Sequence, residues 1–154
     1  MPTKTLFMET TEIAPEKSAG EITTLLVQSG AREISMQYAD GKLTGLRFVL
    51  LVKEFPISFV LPVRTESIYK ILVARSRSSW PSDKEKKMKQ TQAERVAWRQ
   101  LLRWVQAQLA MIDTGMVQAH EVFLPYILHA GSGQTLFEYF QKDGLKQLAA
   151  GNKQ

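Results

Sequence analysis

The chain has 154 residues, of which 44% are hydrophobic and 23% charged, and its formal net charge is +5. These values predict a globular domain, and no apolar run approaches the ~20 residues that span a bilayer, which excludes a membrane protein. The absence of cysteine excludes disulfides and thiolate chemistry. Because the first residues do not resemble a signal peptide, we expect a cytoplasmic protein.

The N-terminal region predicts an arm followed by a short helix. Residues 1–17 are polar and rich in threonine, which indicates a loosely ordered arm before a single α+β domain over residues 18–150. The sequence Ser18-Ala-Gly-Glu21 is typical of a capping box. We therefore expect an amphipathic helix that begins near Ser18 and ends at Gly30, where glycine favours a left-handed stop.

Between residues 32 and 63 the hydrophobic period changes to two, which predicts three antiparallel strands. The second turn, at Lys53-Glu54, sets Phe48 opposite Phe59 and makes one face of the sheet almost wholly apolar. Helices must cover that face. Two prolines in the third strand suggest that it lies at an edge.

The first turn, Ala39-Asp40-Gly41, leaves the strand register open. A two-residue turn would set Ile34 opposite Arg47 and break the apolar pattern. A three-residue turn pairs Ile34 with Leu46 and restores the pattern, and a bulge at Gly45 would also do so. We favour the three-residue turn, which is a common hairpin connection.

The second half of the chain predicts one long helix. Thr65 is the expected cap of a second helix, and Pro81 interrupts the connection that follows it. Ser82-Asp-Lys-Glu85 is another capping box, so we predict a helix from about Asp83 to Asp113 with Thr114-Gly115 as its stop. At ~46 Å this helix exceeds the core, and its first turns are expected to project or fray.

These elements together predict an α+β fold: a three-stranded antiparallel β-meander covered by helices, with one long helix in the C-terminal half. The long helix has an apolar sector that covers about half its circumference. Trp104 lies in this sector and Trp98 lies at its margin, so both are expected in the core.

Positive charge is concentrated in one segment. Residues 75–103 contain nine Lys or Arg against three Asp or Glu, a net of +6, so the other residues sum to −1. Arg95, Arg99 and Arg103 recur every four residues on the face opposite the apolar sector, where we expect them on the outside. Such a stripe contacts phosphates in one interpretation, and in the other it is a solvated face paired with carboxylates.

The candidate nucleic-acid-binding residues combine this stripe with the lysines before it and one aromatic side chain. They are Lys84, Lys86, Lys87, Lys89, Arg95, Arg99, Arg103 and Trp80. Trp80 precedes Pro81 in the basic connection and is the better candidate for an exposed aromatic that stacks on bases.

Catalytic and metal-binding motifs are incomplete. His120-Glu121 begins like a zinc-protease motif, but Leu124 occupies the position of the second histidine. Glu85-Lys86-Lys87 lies at a polar helix start, where a metal-dependent nuclease would need a core strand. Gly131-Ser-Gly133 lacks the strand-turn-helix context of a hydrolase nucleophile. We therefore expect no catalytic residue, metal or cofactor.

Two resemblances to known proteins follow from the sequence. The stretch Val96-Ala-Trp-Arg-Gln-Leu-Leu-Arg-Trp, continuing to Met116, and Phe123-Leu-Pro-Tyr126 are similar to uncharacterised bacterial and phage-associated conserved proteins over residues 19–140. This resemblance implies no activity. The order helix, three strands, helix over residues 18–78 resembles the double-stranded-RNA-binding domain. The chain departs from that family at Thr65-Glu66, which is not lysine-rich, and at Lys53-Glu54, which is too short for the family's basic loop.

The leading hypothesis is a non-enzymatic nucleic-acid-associated binding protein of phage or mobile-element type, with DNA or RNA bound through phosphates. The alternative is a protein-protein interaction or assembly module that is oligomeric or binds another protein. A small enzyme would require a concave polar site that the sequence does not locate.

Overall fold

An antiparallel sheet in the order β1-β2-β3 lies at the centre of an α+β fold, as the sequence predicts. The computed structural model describes residues 4–151. The strands are β1 (Glu33–Ala39), β2 (Lys42–Val52) and β3 (Phe55–Pro62). The α-helices described are α1 (Pro15–Gln28), α2 (Glu66–Ala74), α3 (Asp83–Asp113), α4 (Ala119–Val122), α5 (Leu136–Tyr139) and α6 (Leu145–Ala150). A 3-10 turn at Leu124–Tyr126 and a π-helical turn at Phe140–Gly144 complete the C-terminal region.

The prediction of a three-residue turn between β1 and β2 is wrong. Ala39 pairs with Lys42, so that the turn contains only Asp40 and Gly41. Their φ angles are 50° and 76°, which is the left-handed geometry of a two-residue hairpin turn. Asp-Gly is a preferred sequence for this turn because both residues tolerate positive φ.

The alternative that the sequence left open, a bulge near Gly45, is confirmed. Gln37 pairs with Gly45 while Tyr38 pairs with Leu43, so Thr44 is the extra residue. The Thr44 hydroxyl donates a hydrogen bond to the Gln37 carbonyl at 3.3 Å. The bulge shifts the register by one residue and thereby returns the apolar side chains of both strands to one face.

The shifted register sets Ile34 opposite Phe48, and the β2–β3 turn sets Phe48 opposite Phe59 as predicted. The Phe48 and Phe59 rings stack with centroids 5.1 Å apart. Phe123, which follows α4, contacts both rings edge-on at 5.6 and 5.9 Å. This aromatic cluster joins the C-terminal half of the chain to the sheet.

The β3 strand is an edge of the sheet, as its prolines suggest, and its outer side is partly covered. The Leu128 backbone N–H donates to the Ser58 carbonyl at 2.9 Å, and Ile127 forms an isolated bridge with Phe59. The segment after the 3-10 turn therefore satisfies some of the backbone groups that an edge strand leaves unpaired.

Helix α1 begins three residues earlier than the predicted capping box. Pro15 occupies the first helical position, where proline is favourable, and Ala14 at the N-cap makes no side-chain cap. Ser18 is therefore buried inside the helix, and Glu21 is used for a contact with α3. The capping-box prediction is wrong, but Gly30 ends this region with φ of 94° as expected.

The segment before α1, predicted as a loosely ordered arm, lies against α3. The Gln92 side chain donates hydrogen bonds to the carbonyls of Glu9 and Thr11 at 2.8 and 2.9 Å. Gln100 donates to the Phe7 carbonyl at 2.8 Å. Residues 1–3 of the predicted arm lie outside the described residues.

Helix α3 has the bounds that the sequence predicts, and Gly115 follows it with φ of 77°. It is helical from Asp83, and its first turns lie beside Leu72 of α2. Both α1 and α2 pack against α3. Helix α3 lies outside residues 18–78, the part of the chain that resembles the double-stranded-RNA-binding domain. Thr65 stands at the N-cap of α2 but makes no capping bond, so that detail of the prediction is wrong.

The buried face of α3 is centred differently from the projected apolar sector. Trp98 and Leu102, placed at the margin, are fully or almost fully buried, whereas Leu101 and Trp104 are only half-buried. The Trp98 indole N–H donates to the Leu43 carbonyl at 3.4 Å, which joins α3 to the β1–β2 hairpin. None of the helices in residues 4–151 has the length and apolar character required to cross a bilayer.

We predict that Gly45→Ala destabilises the fold by about 1–3 kcal/mol, because a β-carbon would lie 2.6 Å from the Leu61 carbonyl oxygen. Gly20→Ala is the matched control in α1, where a β-carbon meets nothing within 4 Å. That variant is expected to stabilise by about 0.5–1 kcal/mol. Urea denaturation measures both free energies of unfolding. Equal effects of the two substitutions would contradict the close packing assigned to Gly45.

Candidate nucleic-acid interface

Two serine side chains hold the start of α3 in place. The Ser82 hydroxyl accepts a hydrogen bond from the Glu85 backbone N–H at 3.2 Å, which is half of the predicted capping box. The other half is absent, because the Glu85 carboxylate accepts a hydrogen bond from the Ser76 hydroxyl instead. This contact ties the helix start to the connection after α2 and engages one of the two carboxylates in the first turn.

A groove of about 750 Å³ lies along the first turns of α3. Four cationic side chains contribute to its lining: Lys84, Lys87, Lys89 and Arg95. Met88 and the α2 residue Leu72 add apolar surface, and Thr91 and Gln92 add polar groups. With four cations against the single carboxylate of Glu85, the groove is strongly positive.

The lysines at the start of α3 are accessible. Lys84, Lys86 and Lys87 are exposed, while Lys89 and Arg95 are half-buried. Lys86 lies outside the groove lining. In the part of the chain that the structure describes, the ion pairs involve only two of the nine cations between residues 75 and 103, and neither belongs to this group.

The prediction that Arg99 lies on the outer face of α3 is wrong. Arg99 is only 7% exposed, and its Nη1 atom lies 2.6 Å from Glu21 Oε2 and 3.2 Å from Ser18 Oγ of α1. Its Nε atom is buried and has no hydrogen-bond partner among the described residues. Helix α1 packs on this side of α3, so Arg99 joins two helices.

Burial of Arg99 divides the arginine stripe. Arg103 is exposed, and its Nη1 donates to Gln106 Oε1 at 3.0 Å. It borders a different groove of about 420 Å³ between α1 and α3. Because Arg103 lies ~28 Å along the helix axis from Lys84, the two cations belong to separate surfaces.

The three tryptophans divide as the sequence suggests. Trp98 is fully buried and Trp104 packs edge-on against Phe123 with centroids 5.5 Å apart. Trp80 is 90% exposed, which is exceptional for so large an apolar side chain. Its backbone N–H donates to the Ser78 hydroxyl at 3.2 Å, a bond that orders the connection just before α3.

Several residues of the groove were missed in the sequence analysis. Met88 follows Lys84 by one helical turn, and this i, i+4 relation is the one signal that could have identified it. Leu72 enters the lining only because α2 packs on α3. The Gln92 side chain is held by its hydrogen bond to the Glu9 carbonyl of the N-terminal arm. The Arg75 guanidinium donates hydrogen bonds to the Glu9 carboxylate and the Lys4 carbonyl of the same arm. No local pattern indicates these long-range contacts.

Neither histidine lines the groove at the start of α3. The exposed His129 places its Nδ1 atom 3.1 Å from the Ser132 hydroxyl oxygen, and His120 is half-buried elsewhere. Among the side chains that the structure describes, no group of three or more His, Asp or Glu could hold a metal ion. The groove therefore offers cations and apolar surface, a combination suited to an anionic ligand with apolar parts.

We predict that Arg99→Ala destabilises the protein by about 2–3 kcal/mol, because it removes a buried side chain from a partly buried ion pair with Glu21 and leaves a cavity. Arg103→Ala, one turn further along the same helix, is the matched control and is expected to cost about 0.5 kcal/mol or less. Chemical denaturation distinguishes the two. Similar losses for both variants would contradict the structural role assigned to Arg99.

Comparisons with known proteins identify no family for this chain. No family model, curated protein or solved structure matches it.

Proposed function

We propose that this protein is a non-enzymatic nucleic-acid-associated binding protein that acts in the cytoplasm and contacts phosphates through the start of α3. One observation carries the proposal: three exposed lysines stand beside a concave cationic groove, and a tryptophan that is 90% exposed precedes them. Lys84, Lys86 and Lys87 supply the charge at the surface. Lys84 and Lys87 line the groove together with Lys89 and Arg95, whereas Lys86 lies outside the lining.

The charge distribution favours polyanions over small acidic ligands. Arg75 and Arg99 are paired with Glu9 and Glu21, and four of the other seven cations in residues 75–103 are the lysines on the first two turns of α3. Lysines project as point charges on flexible stems, which suits phosphates in variable positions and gives little sequence selectivity. The phage or mobile-element association is carried only by the resemblance of Val96–Met116 to conserved proteins of that type.

Replacement of Lys84, Lys86 and Lys87 together by alanine is expected to weaken binding to a generic labelled oligonucleotide at least tenfold near ~50 mM salt. Each phosphate contact that is lost lowers the number of counterions released on binding. The slope of log K against log salt should therefore become shallower by about 2–3. Fluorescence anisotropy between ~50 and ~200 mM salt measures both quantities.

The matched control replaces Lys17, Lys142 and Lys146, which are also exposed and carry the same total charge. If net charge alone governed binding, both triple variants would lose affinity equally, and the assignment to α3 would be wrong. Absence of binding by the wild-type protein at low salt would overturn the proposed function itself.

A second candidate function, assembly with another copy of the chain, is favoured by the C-terminal helical run. Five large apolar side chains there are exposed: Phe137, Tyr139, Phe140, Leu145 and Leu148. Leu145 and Leu148 are 66% and 64% exposed, and α6 makes its principal contacts with the π-helical turn just before it. Apolar patches of this kind often mark interaction surfaces.

If the C-terminal run mediates assembly, the wild-type protein should form dimers as its concentration rises in light-scattering measurements. Leu145→Lys combined with Leu148→Lys should keep it monomeric, because charges would enter the apolar contact. Val27→Lys, an exposed apolar position on α1, should have no such effect. A strict monomer over a wide concentration range would rule out this second function.

A further inference from the structure

The nature of the groove indicates the form of the nucleic acid, an inference that rests on the function proposed above. We propose that the groove at the start of α3 binds a single strand in preference to a duplex. Trp80 and Met88 contact unpaired bases, and Lys84, Lys87 and Arg95 contact the phosphates that join them.

The shape of the surface is the first support. Its volume of about 750 Å³ lies in the range of ~300–1,000 Å³ typical of small-ligand clefts. A duplex presents its phosphates on a convex exterior, which meets a concave groove at few points. An extended single strand can enter the groove and place consecutive phosphates near its walls.

The composition of the lining is the second support. Lys84, Met88 and Arg95 lie on one side of α3, so apolar and cationic groups alternate along a length of ~17 Å. Met88 is 63% exposed there, whereas Leu72 of α2, which also lines the groove, is only 6% exposed. A duplex would leave this apolar surface facing water, whereas the faces of unpaired bases can cover it.

Trp80 is the third support. It lies only four residues before Lys84, which limits the separation of their Cα atoms to ~14 Å. Its ring is almost wholly accessible and can stack on a base of a strand that contacts Lys84. Cationic grooves combined with accessible aromatic side chains are the usual means of binding single strands without sequence preference.

The experiment compares a labelled single strand of about 16 nucleotides with the duplex of the same sequence, using the full chain and fluorescence anisotropy at low salt. We expect the single strand to bind at least tenfold more tightly. Trp80→Ala should weaken single-strand binding about five- to hundredfold, Trp80→Phe should retain most of it, and duplex binding should change little.

Phe55→Ala is the matched control for the loss of an exposed aromatic ring. Phe55 is 69% exposed and pairs with Val52 at the C-terminal end of β2. The opposite end of β2 is the one that contacts α3, where Lys42 forms an ion pair with Glu94. Its replacement should leave single-strand binding unchanged. Circular dichroism and thermal unfolding should be the same for wild type and Trp80→Ala, because the removed side chain makes little contact with the fold.

The outcomes separate the two proposals. Equal affinity for strand and duplex, or no effect of Trp80→Ala, overturns the single-strand inference while salt-dependent binding through the lysines stands. Failure of the wild-type protein to bind either oligonucleotide overturns the proposed function and the inference together. Tighter binding to the duplex would assign the lysines to a duplex surface and exclude the groove as the binding site.

Discussion

Burial of the middle of α3 against the sheet and α1 is the constraint on which the rest of the structure depends. Trp98, Leu102 and Val105 are buried there, and Arg99 binds Glu21 of α1. A helix of 31 residues is ~46 Å long and extends beyond the strands that it covers. Its first turns therefore lie outside the core, where lysine is tolerated and a ligand can reach it.

The same packing explains why one cationic segment has two roles. Arg99 and Arg75 hold α1 and the N-terminal arm in place through Glu21 and Glu9, and this arrangement uses their charge within the fold. The lysines between these two arginines have no such partners among the described residues, and their charge remains available. The net charge of the segment consequently overstates the charge that a ligand would meet. The groove also contains Met88 and Leu72, which makes its chemistry more specific than a basic patch.

The β1–β2 hairpin shows how a small local feature adjusts the whole sheet. An Asp-Gly turn is determined locally, but taken alone it would turn the apolar side chains of β1 toward solvent. Thr44 supplies the extra residue that corrects the register, and Gly45 permits the close approach of Leu61. The corrected sheet then presents Phe48 and Phe59 to Phe123, so the bulge is linked to the packing of the C-terminal half.

The sequence by itself determined the fold class and the bounds of α3, because the Ser82 cap, the helical period and the Gly115 stop act over a few residues. It also located the lysines and the exposed Trp80. Only the tertiary structure decided which arginine is buried, since Arg99 and Arg103 have equivalent places in the helical period. Their difference depends on a Glu21 carboxylate 78 positions away from Arg99. The choice between the turn and the bulge, and the entry of Leu72 into the groove, likewise required contacts that no local pattern contains.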